Sequence, residues 1–135
     1  MSRLALGTMT WGRDTDEHEA REQFEAFVEA GGTLIDTADV YTDGESERLV
    51  GRILAERGLR DEVVLATKAV GTPHEERRRN ATRAHLLTAL DRSLQRLGTE
   101  FVESANLRVG TRGALTRHRL HSVVFELVHD DRGGA

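Results

Sequence analysis

From Leu4 to Val102, short apolar runs alternate with longer stretches whose apolar residues recur every three or four positions. The first run, Leu4-Ala5-Leu6-Gly7, closes on Gly7 and Thr8 and predicts a strand entering a turn. A loop from Met9 to Arg13 follows, and its Trp11 suits either flanking a planar ligand or packing. Asp14 or Thr15 is a suitable N-cap, acids fill the next turn at Asp16, Glu17 and Glu19, and Ala20, Phe24, Phe27 and Val28 make one apolar face. That helix ends at Gly31-Gly32, and a strand from Thr33 to Asp36 begins at once. After the turn Asp43-Gly44, Ser46 as a cap and Leu49, Val50, Ile53 and Leu54 as a face predict a second helix ending at Gly58. Val63 to Thr67 lacks alternation, as a strand buried on both faces should, and Lys68 closes it. Thr82 caps a third helix carrying Leu87, Leu90, Leu94 and Leu97, with Gly98 beyond its end, and Phe101-Val102 resumes a strand.

Three strand-then-helix passages and the start of a fourth strand imply parallel β/α units, because parallel neighbours need crossover helices. The expected class is therefore α/β. Past Val102 the alternation is lost. Residues 1–103 read as the organised unit and 104–135 as a divergent tail, whose run from Ser122 to Val128 fits no slot in the pattern.

Composition narrows the partners. A chain of 135 residues with 38% apolar and 31% charged residues suits one soluble domain with a real core. A net charge of -4 gives no electrostatic reason to expect nucleic acid. Arg77-Arg78-Arg79 follows Glu75-Glu76 in a polar loop without interleaved aromatics, and reads as a solvated charge run. With no cysteine there are neither disulfides nor thiolate metal sites, and His118, His121 and His129 lack the carboxylate context of a zinc motif. No apolar run approaches the ~20 residues of a membrane span, and no signal segment follows Met1. The expected compartment is the cytoplasm.

The candidate chemistry sits at strand ends. Asp36 closes one strand, Lys68 closes the next, and Tyr41 lies in the loop between helix and strand. Lys68 is the only lysine beside eighteen arginines, and Tyr41 is the only tyrosine. On a solvated surface the two cations are nearly equivalent, but a permanently charged guanidinium is a poor substitute for an ammonium acting on a neighbour at close range. A structural ion pair and an ordinary loop aromatic would leave the same trace in sequence.

Four segments, Leu4-Ala5-Leu6-Gly7-Thr8-Met9-Thr10-Trp11-Gly12, Gly32-Thr33-Leu34-Ile35-Asp36-Thr37-Ala38-Asp39-Val40-Tyr41, Ala66-Thr67-Lys68 and Leu94-Gln95-Arg96-Leu97-Gly98-Thr99, together resemble the aldo/keto reductase family in order and spacing. The likeness runs from Ser2 to about Val102. It implies a (β/α)8 TIM barrel, here a partial one of about four parallel strands with flanking helices. It also implies NADP(H) as cofactor, a small-molecule aldehyde or ketone as substrate, and a tetrad of Asp, Tyr, Lys and His. Carried over by position, Asp36, Tyr41 and Lys68 match three tetrad members, with Tyr41 as proton donor, while Gly7, Thr8 and Asp36 fall beside the nicotinamide end. The residue types suit the reaction: hydride reaches the carbonyl carbon while a proton must reach the oxygen, and a phenol with an ordinary pKa near 10 needs a cation beside it.

The sequence also departs from the family pattern. Family chains open with a β-hairpin where Met1 here abuts the first strand, Arg108 stands in the register of the tetrad histidine, and a whole barrel takes ~250 residues. The expectation is thus a truncated aldo/keto reductase that associates through open barrel edges. The alternative is a non-catalytic barrel fragment, a pseudoenzyme or interaction module.

Overall fold

A computed structural model of the chain describes residues 2–69, 80 and 82–106. Strands β1 (Ala5–Gly7), β2 (Leu34–Asp36), β3 (Val64–Lys68) and β4 (Ser104–Asn106) form one parallel sheet in the order β1-β2-β3-β4. Helices α1 (Glu17–Glu29), α2 (Glu45–Arg57) and α3 (Arg83–Leu97) make the three crossovers. An order that never reverses builds the wall of a barrel, whereas an open doubly wound sheet reverses at a switch point. The four strands and their helices are the parallel β/α units that the alternation predicts, in the order of a wall of the (β/α)8 barrel that the resemblance implies. The register pairs Gly7 with Asp36 and Asp36 with Ala66, so Lys68 stands at the same C-terminal end of the sheet, two residues further along.

Burial explains why these segments fold as they do. Ile35 and Leu65 from the sheet, Phe24 from α1, Ile53 and Val50 from α2, and Val102 ahead of β4 are all sealed in one core between sheet and helices. Trp11 joins them with no exposed surface, and its indole Nε1 donates to Gln23 Oε1 at 2.8 Å. Of the two roles the sequence left open for Trp11, the structure selects packing. On α3 the buried positions are Leu86, Ala89, Leu90, Ser93 and Leu97, so Leu87 and Leu94 of the predicted face lie at its margin. The α2 and α3 helices approach closely at Gly51, where a Cβ would stand 2.5 Å from the Leu97 carbonyl oxygen.

The first three strands each begin one residue later than expected, at Ala5, Leu34 and Val64, and three further termini differ for a visible physical reason. The N-cap of α1 is Asp16, in a capping box with Glu19, rather than Asp14 or Thr15. Both of those are otherwise engaged, Asp14 with the Arg13 guanidinium and the Thr15 hydroxyl with Thr10 Oγ1 at 2.8 Å. Ser46 does not cap α2: Gly44 does, in the left-handed region at φ 84°, and Ser46 lies inside the helix with its side chain fully buried. The fourth strand begins at Ser104 rather than at Phe101-Val102, because the approach is held by side chains. Glu103 accepts the Leu65 N–H at 2.7 Å and pairs with Arg60, whose guanidinium also covers the Phe101 ring. Thr82 caps α3, and Gly58 and Gly98 close α2 and α3, as the sequence predicts.

Among the described residues no helix is long and apolar enough to cross a membrane. Arg77 to Arg79, Arg108, and His118, His121 and His129, on which expectations were placed above, lie outside the described residues.

Candidate active site

Asp36 and Lys68 are the last residues of β2 and β3, and Tyr41 opens a 3-10 turn, Tyr41–Gly44, that leads straight into α2. Parallel pairing puts the first two side by side. Lys68 Nζ donates to both carboxylate oxygens of Asp36 at 2.7 Å, to the Thr37 carbonyl at 3.1 Å, and more loosely to the Tyr41 hydroxyl oxygen at 3.4 Å. The ion pair keeps about a third of its surface, with 27% of the Lys68 side chain and 34% of the Asp36 side chain exposed, so a small molecule can reach it.

The direction of the last contact matters. An ammonium has donors only, so the phenol oxygen accepts from Lys68 and its own O–H is left to donate elsewhere. The structure thus brings together all three residues that the sequence singled out at strand ends.

A strained turn carries the tyrosine. Thr42 and Asp43 both sit in the left-handed region, at φ 50° and 53°, ahead of Gly44 at φ 84°. A β-branched residue there costs of order 1 kcal/mol or more and persists only where its surroundings hold it. Here the Thr42 hydroxyl donates to the Trp11 carbonyl at 3.1 Å and the Tyr41 N–H to the Ala38 carbonyl at 3.1 Å.

Beyond the strand ends the backbone ladder continues. Thr8 N–H donates to the Asp36 carbonyl at 3.1 Å, Thr37 N–H to Ala66 at 2.9 Å, and Asp39 N–H to Lys68 at 3.1 Å. Of the residues expected beside a nicotinamide, Gly7 is exposed, and a side chain there would meet no described residue within 4 Å. Thr8 is turned the other way, fully buried with its hydroxyl 2.7 Å from Ser46 Oγ. No group of three or more His, Cys, Asp or Glu able to hold a metal occurs among the described residues.

Two polar groups escaped the reading of the sequence. Asp39 Oδ1 and His85 Nε2 are buried without a hydrogen-bond partner among the described residues. Burial pushes the Asp39 carboxyl up to about 6, with the nearby Glu47 carboxylate adding to the rise, while Arg96, the Val40 N–H and His85 oppose it. A carboxyl whose proton is held more tightly in the folded chain favours folding when protonated. That contribution is complete below its ordinary value of 3.8 and is lost as the pH climbs through about 6. Asp39→Asn is therefore expected to stabilise the protein above pH 6 by ~1 kcal/mol, discounted for partial exposure, and to have little effect below pH 4. Thermal unfolding of the two proteins at both pH values checks this.

Sequential parallel strands, outer helices and polar groups gathered at the strand C-termini define a β/α-barrel wall with its site at the barrel mouth. Residues 3–104 match the model of the aldo/keto reductase family, and the chain belongs to that family. Aldo-keto reductase YhdN of Bacillus subtilis is 41% identical over 108 residues, which cover 76% of this chain and 32% of that protein. Protein tas of Escherichia coli is 33% identical over 115 residues, covering 76% and 33% respectively. The holo-form structure of aldo-keto reductase AKR11C1 from Bacillus halodurans matches with a TM-score of 0.69 and 34% identity, over 82% of this chain and 37% of its own. The chain spans about a third of the length of these relatives.

Proposed function

We propose that this chain carries the proton-donating part of an NADP(H)-dependent carbonyl reductase site, with Tyr41 as the donor and a small aldehyde or ketone as the substrate. The observation that carries the reading is one ammonium held at 2.7 Å by both oxygens of Asp36 and lying 3.4 Å from the Tyr41 oxygen. Asp36 fixes where the charge of Lys68 sits. Lys68 stabilises negative charge as it develops on the phenol oxygen, and the free Tyr41 O–H gives its proton to the carbonyl oxygen of the substrate.

The described residues fit the nicotinamide end of the cofactor. Gly7 leaves bare backbone beside Asp36 in the register, with no described residue in the space above it, and the ion pair keeps about a third of its surface next to it. When bound, the reduced nicotinamide supplies the hydride. Thr8 contributes from behind, bracing the Asp36 backbone rather than offering its hydroxyl to a ligand.

A second reading, a non-catalytic barrel module, draws support from Arg108 in the position of the family histidine, since a guanidinium cannot act as a neutral imidazole donor. Titrating the chain with NADPH and following NADPH oxidation with a generic aldehyde separates the two. Turnover that depends on Tyr41 supports the enzyme, and saturable binding without turnover supports the module. Cytoplasmic location and self-association belong to the same proposal, the latter supported by Leu4, 77% exposed beside β1.

A further inference from the structure

We infer that Ser46 and Glu47, neighbours in the first turn of α2, are positioning residues that set the strand ends carrying Asp36 and Lys68 at fixed heights relative to each other and to Tyr41. The catalytic consequence rests on the function proposed above; the geometry does not.

Ser46 reads two strand ends. Its hydroxyl lies 2.7 Å from the Thr8 carbonyl, 2.7 Å from Thr8 Oγ1 and 3.2 Å from Thr37 Oγ1. Glu47 reads the third. Its Oε1 accepts from Thr67 Oγ1 at 2.6 Å, and its Oε2 accepts from Arg96 Nε on α3, also at 2.6 Å. Arg96 is steadied in turn by Ser93 Oγ at 3.2 Å.

Sequence adjacency gives these bonds their leverage. Thr37 follows Asp36, and Thr67 precedes Lys68. Side chains alternate across a strand, so each threonine faces the helices while its neighbour faces the barrel mouth. Tethering the threonine on the outer side therefore fixes the height and twist of the backbone from which the inner group springs. Tyr41 shares the same reference, because its turn runs into α2 without a break. One helical turn thus gauges all three groups.

Thr8, Thr37, Ser46, Glu47 and Thr67 have no exposed surface at all. Water cannot substitute for a partner there, and a buried carboxylate gives up hydration that well-packed apolar residues would not have to. A polar cluster in that setting contributes to uniqueness of arrangement more than to stability.

The test uses the fact that Lys68 is the only lysine in the chain. Acetylation by acetic anhydride, read by mass spectrometry on the peptide containing Lys68, reports how firmly this one amine is held. Thr67→Val keeps the shape and removes the hydroxyl, Glu47→Gln keeps the size but turns one of the two acceptor oxygens into an N–H donor, and Ile53→Val loosens the core of α2 without touching the polar bonds. The expected result is a several-fold faster acetylation of Lys68 in Thr67→Val and Glu47→Gln, with an unchanged circular dichroism spectrum, and an unchanged rate in Ile53→Val. An unchanged rate in Thr67→Val overturns the proposal, and so does an equal acceleration in Ile53→Val, which would trace the effect to general loosening. Should Glu47→Gln fail to fold, Thr67→Val against Ile53→Val still decides. Where turnover is observed, kcat is expected to fall on the order of tenfold in Thr67→Val with KM little changed. If wild-type turnover is absent, the reductase reading fails by itself and the acetylation comparison stands.

Discussion

In the reductase proposed above, replacing Tyr41 with phenylalanine is expected to lower carbonyl reduction by roughly a hundredfold to ten-thousandfold, the range that a positioned general acid supplies, while leaving cofactor affinity and the fold in place. Only one oxygen is removed. Lys68 retains both oxygens of Asp36 and the Thr37 carbonyl, so the ammonium stays where it is. The ring keeps its position 5.2 Å from Lys68 Nζ, at the start of a turn held by the Thr42 hydroxyl and the Tyr41 N–H. The loss should therefore appear in kcat with little change in the NADPH dissociation constant. Comparable turnover in Tyr41→Phe and the wild-type chain would remove the phenol from the reaction and leave the cluster as a structural ion pair.

The largest effect on stability is expected from Arg96→Leu, which strands a fully buried carboxylate. Glu47 would retain the Thr67 hydroxyl alone, and an uncompensated charge in such a place costs about 3–5 kcal/mol. Arg96 also fills the space beside Gly44, where a Cβ would come within 2.6 Å of its Cδ, so its removal loosens the start of α2 as well. Urea unfolding followed by circular dichroism measures the loss. Adding Glu47→Leu to Arg96→Leu should recover most of it, because the pair's penalty is mainly that of the charge left behind. A loss below about 1 kcal/mol in the single variant would mean that solvent reaches Glu47 after all.

The alternation of apolar runs and helical stripes made the strand and helix order legible, since periodicity is a local property and the crossovers are short. Lys68 and Tyr41 were legible for another reason: each is the only residue of its type in the chain. Ser46 and Glu47 were not. Both sit where a helix start ordinarily carries a cap and an exposed acid, and nothing local distinguishes the buried Glu47 from the partly exposed Glu45 two positions earlier. Its partners are 20 and 49 residues away, on β3 and α3, and only the closed wall brings them together. Asp39 was hidden similarly, inside a motif whose resemblance drew attention to the residues on either side. Asp16 in place of Asp14 or Thr15 is a smaller case, decided by which of three adjacent side chains is not already engaged. The resemblance marked the site at its surface, and tertiary contacts supplied what lies beneath it.

The left-handed run Thr42, Asp43 and Gly44 fixes how this site can be moved by an engineer. A loop exchange cut between Tyr41 and α2 would sever the phenol from the helix that locates it. A portable cassette runs from Asp36 through Glu47, and any recipient scaffold must bring its own hydroxyl one position before the lysine and its own guanidinium for Glu47 to grip.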